Sequence, residues 1–86
     1  MKNIPLMRAI VESTVFLGLS SAEVLDPDVA VQQLELVASI LQEMETAERE
    51  EFLRYLEEFA AAEASQTGVT DRVQFIRRLG DNLGLS

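Results

Sequence analysis

Between Asp26 and Met44 the apolar residues Ala30, Leu34, Val37, Leu41 and Met44 recur at steps of four, three, four and three. That rhythm belongs to a helix of 3.6 residues per turn, not to a strand, whose side chains alternate with a period of two. The segment also has a marked start. Asp26 is a natural N-cap, and Pro27 suits the first helical position, where a missing N–H costs little. Asp28 adds negative charge at the positive end of the helix. Val29, Leu36 and Ile40 widen the apolar arc to roughly 220°, against roughly 100° for an ordinary surface helix. A helix over 27–44 is therefore expected at the centre of the fold, touching neighbours on two sides or a second subunit, with Gln33 inside its arc.

Three more helices follow from the same spacing. The first is expected over 5–17, with Pro5 in its first turn and Gly18 as its stop. Its buried face is read as Leu6, Met7, Ile10, Thr14 and Leu17, while Val15 and Phe16 fall beside Arg8 and Glu12. Ser20 and Glu23 have capping-box spacing and suggest a short helical turn near 20–25. A third helix over 46–65 starts at Thr46 and buries Phe52, Leu53, Tyr55, Leu56, Phe59 and Ala60, with Glu50 and Arg54 paired at i, i+4. A fourth over 70–83 starts at Thr70 and buries Val73, Ile76, Leu79 and Leu83, with Phe75 at the edge and Arg77 and Arg78 opposite. Gly80 either admits a close neighbour or ends this helix a turn early; we take the early end. Short connections favour antiparallel packing, so the expected fold is all-α: a single small antiparallel bundle of four main helices.

Composition narrows the chemistry. In 86 residues there is no histidine, cysteine or tryptophan. Disulfides and thiolate metal sites are excluded, and a reducing compartment fits. At this length the core is thin, which favours a homodimer as a further way to bury apolar area. Arg8 and Glu12 interrupt the N-terminal apolar run that a signal peptide would need, and no run approaches the ~18–20 apolar residues of a membrane span. A cytoplasmic protein without membrane attachment is expected. The net charge is −8, and it is uneven: residues 12–63 carry −11, and the two ends together carry +3. Such a surface repels phosphate backbones, so nucleic acid is not an expected partner.

No catalytic residue, cofactor site or metal site can be assigned. Lys2 and the serines and threonines are the available nucleophiles, and no histidine is present to activate a hydroxyl. Glu48, Glu51, Glu58 and Glu63 could supply carboxylates to an oxygen-ligand divalent site, but they read better as a solvated face. Glu63 is set apart by its place on the side of Phe52, Leu56 and Phe59. Either that face opens to solvent near the helix end, or Glu63 pairs with Arg72, Arg77 or Arg78. Size, acidity and helix count resemble the acyl carrier proteins. Their phosphopantetheine attachment needs Asp-Ser-Leu where this chain has Leu25-Asp26-Pro27-Asp28-Val29, so that function is excluded. The chain is also similar in outline to the small acidic immunity proteins that neutralise nuclease toxins. Their Tyr-Tyr-Pro motif has no counterpart, Tyr55 being the only tyrosine.

The function expected is a non-enzymatic protein–protein interaction module, possible as a homodimer, with a basic or apolar-faced protein partner. Val15, Phe16, Leu34, Val37 and Leu41 are the expected partner or dimer interface, and Glu50, Glu51, Glu57 and Glu58 the acidic rim. Two alternatives come from other classes: a toxin-neutralising or nucleic-acid-mimicking inhibitor, and a carboxylate-only divalent metal-binding protein.

Overall fold

A computed structural model describes residues 3–86; Lys2 lies outside them. Four helices follow in order: α1 (Ile4–Leu19), α2 (Pro27–Leu41), α3 (Thr46–Thr67) and α4 (Asp71–Asn82). They form an all-α bundle, with no strand among the described residues.

Each helix start is fixed by a side chain. Asn3 accepts from Leu6 N–H at 3.2 Å, Asp26 from Asp28 N–H at 2.8 Å and Thr70 from Val73 N–H at 3.1 Å. At α3 the capping residue is Glu45 rather than Thr46, and the Glu48 carboxylate accepts from Glu45 N–H at 3.2 Å.

The helix ends depart from the sequence expectations for local reasons. α1 runs past Gly18 to Leu19, where the backbone N–H of Ser20 donates to Phe16 O at 3.2 Å and its hydroxyl donates to the same carbonyl. Ser20 therefore closes α1 instead of capping the turn after it. That turn still forms, with Val24 and Leu25 N–H both donating to Ser21 O at 3.0 Å. α2 stops at Leu41, one turn short of Met44. The chain tightens there into i→i+3 bonds, Glu43 to Ile40 and Met44 to Leu41, both 3.1 Å. Arg49 takes up the carbonyls of Gln42 and Met44, and the Gln42 amide donates to Leu83 O at 2.9 Å. The Ile40 and Leu41 carbonyls are thus met locally, while side chains meet those of Gln42 and Met44 just beyond α2 and of Leu83 at the end of α4.

The buried core joins Val11 and Thr14 of α1, Leu41, Phe52, Leu56 and Ala60 of α3, Val73, Ile76 and Leu79 of α4, and Leu83 and Leu85 beyond it. The Thr14 hydroxyl donates to Ile10 O and Val11 O, both 2.9 Å, so its burial leaves no unmet donor. The α3 and α4 faces are as expected. The face of α1 is not. It is centred on Val11 (0% exposed), with Met7, Ile10 and Val15 flanking, while Leu6 is 55% exposed.

The centre of the bundle is α1, not α2. α1 meets all three other helices, whereas α2 comes close only to α1. Two glycines let helices approach. The Phe75 ring lies where a Cβ of Gly18 would be, which explains why Gly18 sits inside α1. Buried Gly80 admits the Leu53 side chain, whose Cδ2 would be 2.5 Å from an added Cβ, so α4 continues through it instead of ending early.

Candidate functional site

The 100° step of α2 divides its apolar arc into three parts. Ala30 and Leu41 are buried, with Leu34 and Val37 half-buried beside them. Ala38 and Val31 turn towards α4, where with Leu34, Phe75, Leu79 and Leu83 they line a shallow groove of about 190 Å³. Val29, Leu36 and Ile40 lie on the remaining side and stay in solvent, Leu36 at 51% and Ile40 at 55% exposed. The expected width of the arc is present, but one flank of it has no cover among the described residues.

Beside that flank lies the more apolar of the two main hollows, a groove of about 400 Å³. α1 contributes Leu6, Met7, Ala9, Ile10 and Ser13. Val37 and Met44 come from α2 and the turn after it, and Phe52 forms part of the α3 wall. Among the described residues, the charged ones lining it are Glu48 and Glu51. Helical geometry puts Ile40 on its lip, three residues after Val37 and four before Met44. A hollow of about 490 Å³ between α3 and α4 is larger but mixed in character, lined by Glu57, Arg77, Asp81 and Ser86 as well as Leu53 and Leu56.

The five residues expected at an interface do not form one patch. Leu41 is core, and Val15 is half-buried against the core. Leu34 lies in the α2–α4 groove and Val37 in the α1–α2–α3 groove. Phe16 is 53% exposed. Of the acidic set, Glu50, Glu57 and Glu58 are exposed, whereas Glu51 is half-buried at the groove. Leu6, read from the sequence as core-facing, is exposed at the groove, while Ile10 and Met44 pack against the core and line the groove as well. The signal was available in the excessive arc of α2: an arc that wide leaves a flank uncovered when only one helix packs closely on it.

Among the described residues, a three-helix ionic cluster lies elsewhere. Arg72 makes a fork with Glu12, Nη1 to Oε1 at 2.9 Å and Nη2 to Oε2 at 2.6 Å. Its Nε donates to Glu63 Oε2 at 2.7 Å and Oε1 at 2.9 Å, and its guanidinium carbon is 5.8 Å from the Phe59 ring centre. Glu63 thus takes the paired alternative, and α1, α3 and α4 are joined at one cation. The hydrogen bonds from Arg72 hold the Glu12 carboxyl below its ordinary range, and its partners push the Arg72 guanidinium up. Burial raises the nearby Tyr55 hydroxyl. The cluster consumes its own charges and offers no open position for a ligand.

Glu48, Glu51, Glu58 and Glu63 do not converge. Among the described residues no three side chains of the histidine, cysteine, aspartate and glutamate types are placed to hold one metal ion. No helix among them is long and apolar enough to cross a membrane. No protein-family model, curated protein or solved structure matches the chain.

Proposed function

We propose that this chain is a small non-enzymatic interaction module that docks a protein partner on the apolar face shared by α1 and α2. What carries this reading is that Val37 and Met44 line the 400 Å³ groove while Ile40, between them along the chain, is 55% exposed. Leu6, Leu36 and Ile40 are each more than half exposed in a chain whose core is small. Fully burying a side chain of this size gains about 1.5–3 kcal/mol, so burying the exposed half of each gains roughly half of that. Association costs an estimated 4–15 kcal/mol, which three such side chains alone offset only in part. The groove floor of Ile10, Val37 and Phe52 has to be engaged as well. A chain without cysteine suits a reducing compartment, so the reading includes a cytoplasmic location.

The test is a comparison of two baits in the native host. Wild type should retain a discrete partner that the Leu36→Asp/Ile40→Asp variant loses. Both positions are exposed, so the variant should melt within a few degrees of wild type. Identical captures by two equally stable baits would overturn the reading.

A further inference from the structure

We propose that α2 is a hinged flap: it swings off α1 from its Pro27 end, pivoting on the turn at 42–44, while α1, α3 and α4 stay packed. The motion needs no partner and so stands apart from the docking reading. Burial divides the fold in this way. Val11 and Thr14 of α1 and Val73 and Ile76 of α4 are 0% exposed, and Ala60 of α3 is 1% exposed. The two buried residues of α2, Ala30 and Leu41, are each 8% exposed, and Leu34, Val37 and Ala38 are only half-buried. Arg72 ties α1, α3 and α4 together through Glu12 and Glu63. The charged residues of α2 are Asp28 and Glu35. Among the described residues, neither an ion pair nor a side-chain hydrogen bond joins Pro27–Leu41 to another helix. α2 comes close to α1 alone.

The two ends of α2 differ. Past its C-terminal end the Gln42 amide donates to Leu83 O at 2.9 Å, and Arg49 donates to Gln42 O and Met44 O. Gly84 leaves room for the Gln42 amide, since a Cβ there would be 2.7 Å from Nε2. At the other end Asp26 caps the helix locally, and no residue but Ala30 is buried before Leu41. Residues 20–26 join α1 to α2, and their turn is held by two N–H groups on Ser21 O. Paid out, this tether spans up to about 23–25 Å, against roughly 8–10 Å between packed helix axes. Opening uncovers apolar surface. Leu79 and Leu83, 1% and 3% exposed, line the 190 Å³ groove opposite Val31, Leu34 and Ala38. With α2 swung out they face solvent, so the flap gates that part of α4. Once undocked, a helix of 15 residues is marginal in water and its own hydrogen bonds melt. Its amides then exchange while those of α3 and α4 stay protected.

The test is hydrogen exchange of the whole chain by NMR, across a urea series below the unfolding transition. Amides from Val31 to Ser39 should exchange at least about tenfold faster than the slowest of α3 and α4, with one common and shallower urea slope. Ile76 shares a side of α4 with Val73 and Gly80, and at Gly80 that side meets Leu53 of α3. Its contacts are therefore kept when the flap opens. Ile76→Val should speed the slow amides about two- to tenfold and leave the α2 amides unchanged. Gln42→Ala, at the pivot, should give the same split. Leu34→Ala removes contacts that opening breaks, so it should speed both sets alike. Equal protection of both sets in wild type, or α2 amides that quicken with Ile76→Val by the same factor, would mean that α2 opens only with the whole fold and would overturn the flap. Rates that fall off residue by residue from the Pro27 end, without a common slope, would show fraying and overturn it too. Indifference of the α2 amides to Leu34→Ala would overturn undocking. α2 amides that quicken with Gln42→Ala would overturn the pivot.

Discussion

Replacing Val11 and Leu6 in turn by alanine tests which side of α1 faces the core. Val11 is 0% exposed, and Val11→Ala removes two buried carbons. Transfer alone accounts for about 1.6 kcal/mol at ~0.8 kcal/mol per carbon, and an unfilled cavity adds up to roughly 1 kcal/mol more. Alanine's better helix propensity returns about 0.5 kcal/mol. The net loss is about 1.1–2.1 kcal/mol, which for a domain of this size lowers Tm by roughly 4–17 °C. Leu6→Ala removes three carbons from a side chain that is 55% exposed, so its cost should stay below about 1 kcal/mol. Thermal and urea melts followed by circular dichroism at 222 nm measure both. A Leu6→Ala loss equal to or greater than that of Val11→Ala would refute the observed face and restore the one that spacing suggested.

Gly68→Ala should cost about 1–3 kcal/mol in the same melts, because Gly68 has φ 78° and ψ −175°, a region open essentially only to glycine, and no neighbour for a new methyl group. Gly80→Val should cost about 1–3 kcal/mol by displacing Leu53. A valine variant as stable as wild type would mean that Leu53 does not depend on that gap. For Glu12→Gln the expected loss is below about 1 kcal/mol, since the Glu12 side chain is 43% exposed and its pair with Arg72 is screened. The sign with pH follows from the depressed Glu12 carboxyl. Its contribution is complete above the ordinary glutamate value of 4.5 and is lost as pH falls through the lower folded value. Wild type and Glu12→Gln should therefore differ at pH 7 and converge below pH 4; a difference that persists undiminished at pH 3 would remove Arg72 as its source.

What the sequence made legible were features with a local cause. The period of α2 and the caps at Asp26 and Thr70 depend on residues within a turn of one another, and all appear as read. The α4 stripe of Val73, Ile76 and Leu79 was likewise found, because α4 has one apolar face and so one way to lie. α1 and α2 each offer two. On α1 the expected face of Leu6, Met7, Ile10, Thr14 and Leu17 is buried at Thr14 and half-buried at Met7, Ile10 and Leu17, but it is turned so that Val11 is buried and Leu6 exposed, a turn fixed by partners distant in sequence. One such partner is Phe75, whose ring lies where a Cβ of Gly18 would be. On α2 the choice is made by neglect: α1 alone comes close, so Leu36 and Ile40 keep an exposure that no spacing rule could distinguish from burial. The residues expected at an interface are spread for the same reason: Leu41, Val37 and Leu34 lie 3–4 residues apart on one helix and still reach core, one groove and another. The wide apolar arc of α2 was the most informative clue. It signalled apolar surface beyond what a single contact covers, and in this fold that surplus is the uncovered flank beside the groove.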